Sequence, residues 1–169
     1  MNTSAPARPR RHTQGVSGRI AAMIAMTALG IATLTGCASA VSLDPAPAAN
    51  NPKCAAITVR LPDEIDGNKR RATDAQATGA WGTPAVILER CGLPEVLAST
   101  LTCVTAGGID WLVDDSQAPK YRFITFGRNP ATEVIVDSGK ASGVQALDAL
   151  GVSIGQAITP DRLCTEKSS

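Results

Sequence analysis

Five cysteines mark out what this chain can become. Cys37 stands apart from the others, because it closes the tetrapeptide Leu34-Thr35-Gly36-Cys37, which reads as a bacterial lipobox. Ahead of it, Arg8, Arg10, Arg11, His12 and Arg19 form a basic region. Ile20 to Leu34 is an apolar run of about 15 residues, broken only by Thr27, Gly30 and Thr33. That is signal-peptide length, too short to cross a hydrocarbon core of ~30 Å comfortably as a helix. Small residues at 35 and 36 fit a peptidase site, and only a thiol can form the thioether to diacylglycerol. An ordinary secretory cut after Ala38 or Ala40 would leave Cys37 incidental, but the tetrapeptide, the apolar run and the basic flank agree on lipidation. His12-Thr13-Gln14 after Arg10-Arg11 is polar, so general secretion fits better than twin-arginine export. Residues 1–36 are expected to be a lipoprotein signal peptide, and residues 37–52 the lipidated cysteine and a flexible tether. Two acyl chains anchor stably where one is marginal. The tether is stiffened by Pro45, Pro47 and Pro52, and extended at ~3 Å per residue it would reach roughly 45 Å from the bilayer. The expected address is the extracytoplasmic face of the cell membrane, with the membrane itself as a partner through the lipid anchor.

The remaining Cys54, Cys91, Cys103 and Cys164 are an even set in an oxidising compartment, which points to disulfides. No CxxC spacing is present, and the single histidine, His12, precedes the cut. A zinc site would need all four thiols at wide, irregular spacing, and neither Ser-His-Asp nor Cys-His catalysis can be built downstream of Cys37. Losing four arginines with the signal peptide takes the formal charge from +1 to −3. Lys69-Arg70-Arg71 is the one basic run left and reads as a solvated loop, so nucleic acid is not an expected partner. Aromatic residues make up only 3% of the chain, too few for a surface of stacked rings. Residues 53–169 are enough for a single domain that buries about two-thirds of its unfolded surface.

Local signals predict an α+β fold: a small antiparallel sheet of four or five strands in a meander, an N-terminal and a C-terminal helix, and disulfide staples. Asn51-Pro52 predicts a capped helix running to about Leu61, with Cys54, Ile57, Thr58 and Leu61 on one face and Pro62 as its stop. Asp63 to Thr78 is polar and reads as a loop. Val86-Ile87-Leu88 is typical of a buried strand. Gly107-Gly108 predicts a two-residue hairpin turn that pairs Ala106 with Ile109, Val104 with Trp111 and Thr102 with Val113. Lys120 to Phe126 and Ala131 to Asp137 read as two further strands around a turn at 127–130. Ser142 and Gln145 fit a capping box ahead of a helix whose stripe is Val144, Leu147, Leu150 or Gly151, and Ile154. Gly151 and Gly155 weaken that helix by up to ~1 kcal/mol each relative to Ala.

In order along the chain stand Cys54, Leu61-Pro62, Trp81-Gly82 with Pro84, Ile87-Leu88 and Arg90-Cys91-Gly92. Gly108-Ile109-Asp110-Trp111, Phe123-Ile124-Thr125-Phe126-Gly127-Arg128, Pro130-Ala131, Glu133-Val134 and Cys164 follow. In this order the residues resemble a family of small lipoproteins from high-GC Gram-positive bacteria, catalogued as domain of unknown function three-five-one-five. The resemblance spans nearly all of the domain. It implies an extracytoplasmic lipoprotein with no established activity, and so carries no catalytic residues or cofactor with it.

Asp110, Trp111 and Arg128 are the candidate ligand-binding or structural polar cluster, since an arginine can pair a strand carboxylate or hold an acidic ligand. Trp81 and Trp111 could line an apolar pocket, though core packing is the commoner role. Asp114-Asp115 point to opposite sides of a strand and make a poor cation site; no metal or cofactor is expected. The reading is a noncatalytic binding or accessory module of the cell envelope, with an unknown envelope protein or ligand as partner. The alternatives are a carrier of an apolar ligand and a carboxylate-based hydrolase. Four cysteines allow three pairings. Cys54–Cys91 with Cys103–Cys164 is preferred because each bridge ties a terminal segment to a strand, although Cys91–Cys103 with Cys54–Cys164 stays open.

Overall fold

Turn chemistry and side-chain alternation account for most of the local structure in the computed structural model, which describes residues 39–164. The signal-peptide and lipidation expectations, Cys37 included, lie outside the described residues. The elements in order are α1 (Pro52–Thr58), β1 (Glu64–Ile65), β2 (Asn68–Arg71), β3 (Thr78–Trp81), β4 (Ile87–Leu93), β5 (Thr102–Ala106), β6 (Ile109–Asp114), β7 (Lys120–Thr125), β8 (Ala131–Asp137) and α2 (Gly143–Ala157). The strands make one antiparallel sheet in the order β1-β2-β3-β4-β8-β7-β6-β5.

The expected sheet of four or five strands is thus overturned: among the described residues there are eight, in two four-strand meanders joined where β4 pairs with β8. Two of the three extra strands, β1 and β2, lie in the polar stretch that reads as a loop, and β3 begins at its last residue, Thr78. Asp66 and Gly67, at φ 48° and 73°, form the two-residue turn between β1 and β2, where the backbone twist matches that of the flanking strands. The basic run Lys69-Arg70-Arg71 lies in β2. Arg70 donates to the carbonyls of Leu61 and Thr58, and Arg71 to those of Gly82 and Ser39. β3 is buried along its whole length. Gly79 leaves room there for the Trp81 ring, since a Cβ at residue 79 would lie 2.6 Å from Cη2 of Trp81.

The β5–β6 hairpin has the register the turn predicts, Ala106–Ile109, Val104–Trp111 and Thr102–Val113. One face of the sheet carries Trp81, Ile87, Cys91, Trp111, Phe123, Val134 and Val136, and both helices cover it to form the main core. Asn51 caps α1 by accepting from the Lys53 amide, and Cys54 and Ile57 are its buried residues. Ser142 caps α2 by accepting from the Gln145 amide, whereas the Ser142 amide donates to Asp66, so half of the expected capping box is made by the β1–β2 turn. The stripe of α2 is buried at the expected Leu147, Leu150, Gly151 and Ile154 and widened by Ala146 and Ser153, whereas Val144 in the first turn is exposed.

The segment expected to be a flexible tether is docked over its described part. The Val41 amide donates to the Ala72 carbonyl and the Ala48 amide to that of Gly92, while Ala46 and Ala49 are buried. A bulge in β4 makes this contact possible. Cys91 pairs with Thr132 and Leu93 with Ala131, so Gly92 is the extra residue and Leu93 turns to the opposite face from the one alternation would give it. Gly92 has φ +116°, and a Cβ there would fall 2.6 Å from the backbone of Ala48.

The glycines of α2 are not equivalent. A Cβ at Gly151 would run into the carbonyl oxygen of Gly107 at the hairpin turn, whereas one at Gly155 would meet Cδ1 of Ile109 at an ordinary 3.6 Å. Gly151→Ala is therefore expected to destabilise by about 1–3 kcal/mol through overpacking. Gly155→Ala should stabilise by up to ~1 kcal/mol through helix propensity. Urea unfolding of the two variants side by side tests this, and equal shifts of the same sign would sink it.

Candidate functional site

The second face of the sheet is built from the alternate residues of the same strands. Two cross-strand rows follow from the register: Leu88, Ile135, Arg122 and Asp114, and beside it Arg90, Glu133, Ile124 and Leu112. One end of this face is closed by a small apolar cluster of Leu112, Ile124, Phe126 and Ala131, with Leu93, Val96, Cys103 and Cys164 against it. The other end is a partly open cleft of about 550 Å³, within the size range of small-molecule sites. Leu43 and Asp44 of the docked N-terminal segment form one wall, and the Leu43 amide is held by the Asp74 carboxylate at 2.9 Å. That hydrogen bond, together with one from Ser42, holds the Asp74 carboxyl below the usual carboxylate range.

At the floor of the cleft Glu133 is the central charge, with its side chain only 3% exposed. Arg90 Nε donates to one of its oxygens and Arg122 Nε to the other. Both arginine side chains are 36% exposed. Among the described residues no hydrogen bond reaches their terminal nitrogens, and the Asp114 carboxylate approaches Arg122 Nη1 only to 4.0 Å. Asp114 is itself held below the usual carboxylate range, first by hydrogen bonds from Ser116 and to a lesser degree by Arg122. On the rim Lys140 pairs with Asp137 at 3.3 Å. The arrangement is therefore a buried carboxylate that clamps two guanidinium stems and leaves their outer edges facing the cleft.

The expected cluster of Asp110, Trp111 and Arg128 is not in this cleft. Asp110 accepts from the Thr105 hydroxyl at 2.7 Å and from the Cys164 amide at 2.8 Å. Arg128 donates to the Ile158 carbonyl and is 5% exposed, and burial lowers its pKa. Both residues fasten residues 158–164 to the sheet. Trp111 is in the core with its indole donating to the Ala106 carbonyl, and Trp81 likewise donates to that of Pro62. Cys54 is bonded to Cys91 and Cys103 to Cys164, with Cα separations of 5.4 and 6.4 Å. Among the described residues no group of three or more His, Cys, Asp or Glu is placed to hold a metal ion, and Asp114 and Asp115 do not combine into one.

Arg90, Arg122 and Glu133 do not stand out as a site in the sequence. The signal available is a charged residue inside each apolar strand run: Arg90 in 87–91, Arg122 in 120–126 and Glu133 in 131–137. Only the pairing of β4 with β8 sets Arg90 opposite Glu133. Glu89, the other strand carboxylate, alternates to the helix-covered face and is 2% exposed with neither oxygen hydrogen-bonded among the described residues. Desolvation pushes its carboxyl up to about 8, only partly offset by Arg70.

No match was found among curated proteins or among solved structures. One family model does match, over residues 19–163, a span that takes in both disulfide-tied segments up to Leu163, the whole sheet and the three cleft residues. On that match the chain belongs to the family described as Protein of unknown function (DUF3515).

Proposed function

We propose that this protein is a lipid-anchored module on the extracytoplasmic face of the cell membrane, attached through Cys37, that binds a component of the cell envelope without transforming it. The observation that carries the binding part is the cleft on the open sheet face, with two half-exposed guanidinium groups held over a buried Glu133. A carboxylate that works as acid, base or nucleophile must be free to take up a proton or attack. Glu133 is instead committed to two arginines, and the Glu89 side chain alternates to the helix-covered face of the sheet, where it is buried. A carrier of a wholly apolar ligand would favour an enclosed apolar cavity, whereas this cleft is partly open and lined by Arg90, Lys120 and Arg122. The address rests on the lipobox. Among the described residues no helix is long and apolar enough to cross a membrane, and a diacylated Cys37 supplies the attachment in this reading.

Two measurements in intact cells test it. Cys37→Ala should leave an uncut precursor or release the protein into the medium; a variant still membrane-bound at its normal mature mass would overturn the anchor. A photo-crosslinking residue at Ile135, in the cleft, should trap an adduct that the same residue at Val152, on the exposed side of α2, does not. Equal trapping at both positions would overturn the cleft as the binding surface.

A further inference from the structure

We infer that the cleft is an oxyanion site: the outer edges of Arg90 and Arg122 hold the carboxylate or phosphate of a small amphipathic molecule whose apolar part lies on Leu88 and Ile135. The inference rests on the binding reading above and adds the chemistry of the ligand.

Arginine presents its donors as a planar fork that matches a carboxylate or phosphate with two parallel hydrogen bonds. Here each fork has lost only its Nε donor, to Glu133. Glu133 accepts one arginine on each oxygen, so the two guanidinium groups are fixed on either side of it rather than free to swing. The cluster of two arginines and one glutamate carries a net positive charge. Of the other carboxylates lining the cleft, Asp137 pairs with Lys140, Asp114 binds the Ser116 amide at 3.1 Å and stands 4.0 Å from Arg122, and Asp44 sits on the wall formed by the N-terminal segment, while Lys120 adds a further cation, so the positive charge is local to the two guanidinium edges. Leu88 and Ile135 occupy neighbouring strands in the row adjoining Arg90 and Glu133, half-buried, so an apolar surface runs directly beside the guanidinium edges. Glu133 is a positioning residue in this scheme, because it touches the arginines and not the ligand.

Chemical-shift mapping of the mature chain, expressed without the signal peptide and Cys37 so that it carries no anchor, distinguishes the outcomes. The probes are octanoate, octyl phosphate and the neutral octanamide. At least one of the two anions should perturb β4, β7 and β8 and bind about tenfold or more tightly than octanamide, the discrimination expected of charge-assisted hydrogen bonds. Which anion binds more tightly tells a carboxylate ligand from a phosphate one. Arg90→Gln and Arg122→Gln should each remove most of that preference, and Arg122→Lys, which keeps the charge but not the fork, should retain only part of it. Mapping on the unsubstituted protein needs no variant to fold. If octanamide binds in the cleft as tightly as both anions, the oxyanion inference fails while the binding module stands. If none of the three perturbs the cleft, both fail.

Discussion

Between pH 5 and pH 8 the domain is expected to lose about 3 kcal/mol of stability, and Glu89→Gln is expected to abolish that loss. The Glu89 carboxyl has an ordinary value of 4.5 and is pushed up to about 8 by burial in the core, with Arg70 offsetting only part of the effect. Above pH 4.5 the unfolded chain releases this proton while the folded chain keeps it. The folded state then binds more protons, so stability falls as pH rises until the folded group itself ionises near pH 8. Each tenfold difference in proton affinity between the folded and unfolded chain is worth about 1.4 kcal/mol. No histidine follows His12 and all four domain cysteines are oxidised, so the domain has few other groups to titrate in this window. Asp74 and Asp114, held low, act in the opposite sense and only in acid. Urea midpoints at pH 5, 7 and 9 for both proteins decide it: a Gln variant with the same pH slope as the parent would show that Glu89 is not the cause. At pH 5, where the parent is also uncharged at this position, the two proteins should be close in stability.

Breaking either disulfide is expected to cost about 4 kcal/mol, from loops of 37 and 61 residues on the chain-entropy model. The loops do not overlap, so the two costs should roughly add. Together they rival the whole net stability of a typical domain, and the fully reduced protein should be largely unfolded at about 37 °C. The single bridges will not fail in the same way. Cys54 and Cys91 are fully buried between α1 and the central strand β4, so Cys54→Ala with Cys91→Ala also loses core packing. Cys103 and Cys164 are half-buried, and their bridge pins the C-terminal segment, which Asp110 and Arg128 also hold. Removing that bridge should therefore raise protease sensitivity near residue 160 before it unfolds the sheet. Urea unfolding and limited proteolysis of the two double variants check both points. A loss below ~1 kcal/mol for either pair would contradict the entropic account.

What the sequence by itself determined is what acts over a few residues. Gly107-Gly108 sets the β5–β6 register, because a two-residue turn at positive φ leaves no freedom in which residues face each other. Asn51 and Ser142 start the two helices because a side-chain oxygen satisfies an amide that the first turn cannot. The family assignment was legible in the same way, in the order of short motifs along the chain, and the family match over residues 19–163 agrees. Asp66-Gly67 was an equally local signal for the β1–β2 turn, hidden because the strands beside it are short and rich in charge.

Only the tertiary structure decided the rest, because the deciding contacts join residues far apart in the chain. β4 and β8 are distant in sequence, as Arg90 and Glu133 show with a separation of 43, and no turn links them. Their pairing follows from both being buried on the helix-covered face, and it sets Arg90 against Glu133, while the β7–β8 pairing brings Arg122 to the other carboxylate oxygen. The close approach of α2 to the hairpin at Gly107, where a Cβ at residue 151 would meet the Gly107 carbonyl oxygen, is likewise a contact between distant parts of the chain. The Ala/Pro-rich segment, polar and extended by composition, docked because the Gly92 bulge offers it a carbonyl and a surface with no side chain in the way. Composition describes what a segment can do alone. Which surface it finds depends on the sheet that the rest of the chain has built.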